Sequence, residues 1–433
     1  MQKIIKGEIA SAPVAPRNDG KIIEKINYWS IILLPFSVAI APGVSNTVIG
    51  IMIGTFLIEK IIKKEKLCSV SLPVIIFGVF MIIGALTFIN TVSIMNSLNG
   101  MVKLSKFFLI FLVCSEKIKD REHFKKIAIS IACAISLIGI DALWQLFSGK
   151  DLIRGNSLNG NIGLARATAS FPGCNAMGVY LTGLTPLIAG LALFSSRLKS
   201  RIFLTSAALI GSLGVYLSLS RGAGIGLFVS VLFLSLIRKN KLISFGLILL
   251  LLVYPFVMPK NIKEWAKSVN YNPMILLTDE VRLSIYRNTV HMIREHPFIG
   301  VGINTFSKNY GKYKTAAAEA RMETPDTIYA HNNFLQMGGE MGLLGLGTFL
   351  IFLFFTLKSI WLAFRKNTDP FLKAFSVSVF AAIIAYLING LTETSLYYAR
   401  LVMIFWFLIG LGLALGKRVN EDEIASSPEG SSQ

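Results

Sequence analysis

The sequence predicts an all-α polytopic membrane protein of about 12 transmembrane helices, with one large external loop that itself contains helices. Of its 433 residues 53% are hydrophobic and only 15% charged, and mean hydropathy is +0.62, values of a chain whose preferred solvent is lipid. Apolar runs near the roughly 20-residue bilayer length recur throughout. Clusters of Lys and Arg follow every second run, as they do where short basic loops stay in the cytoplasm.

The runs fall at 28–43, 45–61, 70–90, 97–115, 126–147, 175–195, 202–219, 222–237, 242–258, 335–357, 373–391 and 398–416. Lys60 to Lys66 follow the second, Lys117 to Lys126 the fourth, and Arg197 to Arg201 the sixth. Arg238 to Lys241 follow the eighth, Arg365 and Lys366 the tenth, and Lys417 and Arg418 the last. The odd-numbered short exits near 44, 91–96 and 392–397 carry neither Lys nor Arg. Both termini are therefore expected in the cytoplasm. The chain divides into a tail at 1–27, nine helices over 28–258, a loop at 259–334, three helices over 335–416 and a tail at 417–433. Both tails have the composition of disordered ends, and the first lacks a compact signal-peptide pattern.

This topology accounts for much of the formal charge of +19, so the basic balance does not point to nucleic acid. Cys68, Cys114, Cys133 and Cys174 lack a CxxC pair and read as apolar fillers. His123, His291, His296 and His331 form no helical pair with a carboxylate at ligand spacing, so neither a metal nor another cofactor is expected.

Two external segments are too long to be passive connectors. The first, 148–174, contains Arg154 and Arg166. The second, from about Pro259 to Asn333, holds a helical pattern over Val281 to Glu295 that Pro297 ends, followed by a turn at Gly300-Val301-Gly302. Positive charge on this side opposes the topology bias. Arg221 is the sharpest case, because Ser220-Arg221-Gly222-Ala223-Gly224 places it at the N-terminus of a transmembrane helix. Outward N–H groups, glycines and a guanidinium fork there suit phosphate oxygens; the alternative is an interfacial anchor beside packing glycines. For Arg282 the alternative is a loop ion pair with Asp279 or Glu280. His331 sits where the loop re-enters the membrane, and an imidazole there suits proton transfer from a hydroxyl near neutral pH; the alternative is a polar helix cap. Lys103, Lys106, Asp141, Glu393 and Arg400 are further charges in or beside spans. A buried charge costs about 2.5 to 3.5 kcal/mol on insertion scales, and structural pairing is expected for Asp141 and Glu393.

Taken together, Arg166-Ala167-Thr168-Ala169-Ser170-Phe171 with Asn175, Ser220-Arg221-Gly222, Arg282-Leu283-Ser284-Ile285-Tyr286, His296-Pro297-Phe298-Ile299-Gly300-Val301-Gly302, His331-Asn332-Asn333-Phe334-Leu335-Gln336 and Glu340-Met341-Gly342 resemble the O-antigen ligase and polymerase superfamily in order and spacing. Two positions depart from its pattern: Tyr286 where Trp is frequent, and Cys174 where proline commonly precedes the asparagine.

The resemblance implies a GT-C type glycosyltransferase in the bacterial inner membrane with a periplasmic active site. Its donor would be an undecaprenyl-diphosphate-linked glycan. Its acceptor would be lipid A-core oligosaccharide for a ligase, or a second lipid-linked glycan for a polymerase. Carried over by motif, Arg221 and Arg282 would hold the donor diphosphate and His331 would be the catalytic base of an inverting displacement. Arg166, Asn332 and Tyr286 would be further substrate-binding candidates. A transporter guiding an anionic substrate is the third reading.

Overall fold

The computed structural model describes residues 18–161, 164–257, 260–268, 270–272, 279–314 and 328–426. Parts of the expected tails, 1–17 and 427–433, lie outside these residues, as do 273–278 and 315–327 of the large loop. Nine helices precede that loop: α1 (Asn18–Ile40), α2 (Pro42–Lys63), α3 (Leu72–Leu86), α4 (Ile94–Lys117), α5 (Arg121–Ser148), α6 (Cys174–Phe194), α7 (Leu198–Ser218), α8 (Arg221–Ile237) and α9 (Lys241–Val257). The loop contains α10 (Lys260–Ser268), α11 (Glu280–Glu295) and the short α12 (Phe306–Tyr310). Then come α13 (Asn333–Lys366), α14 (Pro370–Asn389) and α15 (Val402–Ser426).

The chain is an all-α polytopic membrane protein. Ten of the described helices are long and apolar enough to cross a membrane, and two shorter apolar helices start at Arg221 and Lys241; each expected apolar run overlaps one of these twelve, some overrunning its ends by a few residues. The first helix starts well before 28 and the last runs well past 416, because Lys- and Glu-rich turns propagate a helix that apolar packing has nucleated. The described strands are β1 (Asn159–Asn161) and β2 (Leu164–Arg166), an antiparallel pair in the first external segment.

Local chemistry sets the helix ends. Pro42 and Pro370 lie in the first turns of α2 and α14, where a missing N–H costs nothing. Asp120, Asp279 and Asp369 accept backbone N–H groups at the starts of α5, α11 and α14. Helix association in lipid depends on packing rather than on water exclusion, and α6 and α15 form the interior. α6 packs on α7, α8 and α14, and α15 packs on α4, α13 and α14. Phe77, Phe111, Phe352 and Trp406 knit α3, α4, α13 and α15 together, with the rings of Phe77 and Trp406 edge to face at 5.0 Å.

Ion pairs gather the basic ends of α2, α4 and α15. Lys63 and Lys117 share Glu59, and Lys417 pairs with Glu116. At the other end, buried Arg400 donates to the carbonyls of Val38, Ala39 and Ser170, and its guanidinium stacks 4.3 Å from the Phe171 ring centre. Carbonyls and a ring face solvate this cation.

α13 is broken. Gly342 has φ 66° and ψ −172°, a conformation essentially restricted to glycine. The broken ends would leave amides and carbonyls unpaired where water is scarce, and the loop segment His296–Gly302 fills the gap. Val301 and Gly302 donate to the carbonyls of Gly339 and Glu340 at 3.0 Å each. Leu343 and Leu344 donate to those of Pro297 and Phe298 at 2.7 and 3.2 Å. The Glu340 carboxylate, 2% exposed, then accepts the Asn304 and Phe306 amides at 2.8 and 3.2 Å and so starts α12. The Pro-Phe-Ile-Gly-Val-Gly motif thus welds the large loop to a membrane helix.

A Cβ on Gly342 would lie 2.2 Å from the Phe298 carbonyl oxygen, whereas one on Gly347 in the same helix meets nothing within 4 Å. Gly342→Ala is expected to destabilise the protein by about 3 kcal/mol or more through backbone strain and overlap. Gly347→Ala is expected to be neutral or stabilising by up to about 1 kcal/mol. Thermal unfolding in detergent checks this; equal melting of the two variants would contradict the weld.

Candidate functional site

The turn between α14 and α15, residues 389–401, is where the distant sequence motifs meet. Its centre is Glu393, 2% exposed. Oε1 accepts from Arg282 Nη2 at 2.8 Å and from Asn175 Nδ2 at 2.6 Å. Oε2 faces His331 Nδ1 at 3.7 Å, an ion-pair distance rather than a hydrogen bond. Neither of those two buried atoms has a hydrogen-bond partner among the described residues. Burial pushes the Glu393 carboxyl up, but the His331 imidazole and the Arg282 guanidinium pull harder the other way, so it sits below the usual carboxylate range.

Arg282 reaches this carboxylate from α11. Asp279, the N-cap of that helix, binds the Arg282 amide at 2.8 Å and its Nε at 3.3 Å, and Nη1 donates to the Thr392 carbonyl. Burial works against the cation, and Glu393 and Asp279 more than offset it, holding the guanidinium above its ordinary value. The expected pairing with Asp279 is present, joined by the stronger contact to Glu393. Three of the five N–H groups face described protein partners.

The three residues of His331-Asn332-Asn333 have separate tasks. Asn332, rather than His331, is the cap of α13, accepting the Phe334 and Leu335 amides at 2.9 and 3.0 Å while donating to the Leu391 carbonyl at 3.0 Å. Asn333 staples the turn, binding Ser395 Oγ at 2.9 Å and the Leu396 amide at 3.0 Å. His331, at φ 48°, is thereby released from capping. Its side chain is 28% exposed, and Nδ1 is its enclosed nitrogen. The Tyr286 hydroxyl lies 3.0 Å from the His331 carbonyl and 3.1 Å from that of Leu391, so Tyr286 locks this backbone against the turn.

Arg221 opens α8 immediately after a tight turn through Leu219 at φ 48°. It is exposed and lies within electrostatic range of Asp279, Arg282 and Arg166. Gly222 fixes its place: a Cβ there would fall 2.0 Å from Thr392 Oγ1, so the first turn of α8 abuts the residue before Glu393. Arg166 works at one remove. Nε donates to the Ser218 carbonyl at 3.0 Å, at the C-terminus of α7 where a cation is favourable. Nη2 donates to Asn175 Oδ1 at 2.9 Å, and Asn175 passes the contact to Glu393.

The structure therefore brings Arg221, Arg282 and His331 to one turn, with Arg166, Asn332 and Tyr286 bracing its surroundings. Sequence reasoning expected structural pairing for Glu393, which its contact with Arg282 shows, but gave neither it nor Asn175 a part in the site. The available signal was a carboxylate in the short external turn 392–397, which has neither Lys nor Arg of its own to balance it. Among the described residues no three His, Cys, Asp or Glu side chains cluster as metal ligands.

The family described as O-Antigen ligase matches residues 206–350, which run from within α7 through Arg221, α11 and the His331 turn to the second half of α13. A Rickettsia conorii protein described as a polysaccharide ligase is 25% identical over 365 residues, covering 80% of each chain. The matched region, the length shared with that relative and the architecture above agree: the chain is similar to the O-antigen ligases.

Proposed function

We propose that the protein is a membrane glycosyltransferase of GT-C type that moves a glycan from undecaprenyl diphosphate to an acceptor sugar hydroxyl on the extracytoplasmic face of the bacterial inner membrane. The observation that carries this reading is the Glu393 carboxylate, which places a guanidinium and an imidazole on its two oxygens at the membrane edge. The extracytoplasmic assignment rests on the distribution of Lys and Arg, with both termini in the cytoplasm.

In the proposed step the acceptor oxygen attacks the anomeric carbon as the bond to the diphosphate breaks, with inversion. The hydroxyl proton passes to His331 Nε2, and undecaprenyl diphosphate leaves. Arg221 and Arg282 stabilise charge on the departing oxygens, most strongly where water is excluded. These guanidiniums supply the positive charge the step requires, so it is written without a metal or cofactor. Glu393, 3.7 Å behind Nδ1, would stabilise the imidazolium that forms as Nε2 takes the proton, the role of a carboxylate behind a histidine base. Arg166, Asn332 and the Tyr286 hydroxyl hold the turn.

Of the two acceptors, lipid A-core oligosaccharide is favoured by the ligase description of the family; a lipid-linked repeat would make the enzyme a polymerase. A transporter with broken helices in two related halves fits less well, because loop backbone fills the one break in α13 described above.

Purified protein given undecaprenyl-diphosphate glycan and each acceptor separately is expected to yield a product with core oligosaccharide. His331→Ala is expected to lower its rate about 10² to 10⁴-fold with donor binding retained, and Arg221→Ala to weaken donor binding as well. Wild-type turnover by His331→Ala would remove the base, and no transfer to either acceptor would remove the enzyme reading. Glu393→Gln keeps the acceptor oxygen for Arg282 and Asn175 while removing the charge behind His331. It is expected to lower kcat about tenfold or more and to leave KM for donor within about twofold; a change confined to KM would assign Glu393 to binding.

A further inference from the structure

One face of α11 is untouched by the chemistry above. The helix buries Ile285, Asn288, Thr289 and Met292. Turned the opposite way, at the spacing of a single helical face, Leu283, Tyr286, Arg287, Val290 and Arg294 join Asn272 in lining an open cleft of about 500 Å³, a size typical of small-molecule sites. Arg287 and Arg294 are exposed, and neither makes a hydrogen bond or ion pair with another described residue. The neighbouring acid is engaged elsewhere: Glu295 accepts the Tyr313 hydroxyl at 2.9 Å and faces His291 at 3.7 Å. Two guanidiniums with no acidic partner among the described residues, two turns apart and ~10 Å along the axis, therefore overlook a floor of Leu283, Val290 and the Tyr286 ring.

We propose that this cleft binds the acceptor saccharide, with Arg287 and Arg294 holding phosphate groups on sugars inward of the accepted hydroxyl. The proposal rests on the transferase reading. Saccharides are amphipathic, so the C–H face of a pyranose packs on aromatic and aliphatic side chains while anionic substituents meet planar guanidinium forks. Tyr286 belongs to both places: its ring lines the cleft, and its hydroxyl reaches the carbonyl of His331, the base to which an acceptor hydroxyl must be presented. The donor diphosphate is assigned to Arg221 and Arg282, beside the α14–α15 turn, so the cleft falls to the other reactant.

The test uses the full chain in nanodiscs of zwitterionic lipid, titrated with a synthetic hexasaccharide carrying two phosphate monoesters and with its dephosphorylated form. Wild type is expected to prefer the phosphorylated form. The double variant Arg287→Gln/Arg294→Gln is expected to bind it about tenfold or more weakly, as for the loss of charge-assisted contacts, and to show no preference. Arg287→Lys/Arg294→Lys is expected to keep an intermediate preference. Undecaprenyl-diphosphate glycan, titrated separately, is expected to bind wild type and the Gln variant equally, which verifies folding. Loss of donor binding in wild type would strike the transferase reading, whereas equal hexasaccharide binding by wild type and the Gln variant would overturn the cleft alone. A difference between them that appears only in anionic-lipid nanodiscs would assign the arginines to lipid headgroups and overturn it as well.

Discussion

A single buried carboxylate holds the candidate site together. Glu393 binds Arg282 and Asn175 through one oxygen and faces His331 with the other, so α11, the start of α6 and the entry to α13 are referenced to one atom group. Removing one member of such a buried pair costs about 3 to 5 kcal/mol, because the other is stranded without water. The same dependence explains why positive charge is stable here despite the bias against it on this side. Arg282 has Glu393 and Asp279, and Arg166 has helix-end carbonyls and Asn175.

The carboxylate can act as a reference only because the loop around it is rigidly mounted. The break at Gly342 gives α13 two open ends, and the Pro297–Gly302 backbone closes both. Glu340 and Gln336 extend the graft into α12 and the Ala330 amide, which brings the chain to His331 in a fixed orientation. Tyr286 and Asn332 then tie the same stretch to Leu391. Many residues of the motifs that read as a catalytic signature thus also shape the loop.

Much of the fold was legible because lipid imposes a single long period. Every apolar run reappears as a helix, and Arg221 opens α8 as its Ser-Arg-Gly context implies. Helix ends were less legible where polar turns continue a helix into water, as at Asn18 and Ser426. The break at Gly342 was hidden inside an apolar run, since nothing local distinguishes a glycine that packs from one that must adopt positive φ. Arg282, His331 and Arg221 were visible as charges out of place. Glu393 was visible only as a charge of unknown purpose, because its partners lie 62, 111 and 218 positions away and no periodicity connects such distances. Asn332, expected as a candidate substrate contact, also caps α13, a task the Asn side chain suits.

The coupling of Glu393 to His331 is tested most directly by a double-mutant cycle on kcat, with His331→Ala, Glu393→Gln and the combined variant. If the carboxylate acts through the imidazole, the combined variant is no slower than His331→Ala alone, and the coupling energy nearly equals the whole effect of Glu393→Gln. Penalties that multiply would mean that the two residues act independently, and the single-hub site would be contradicted.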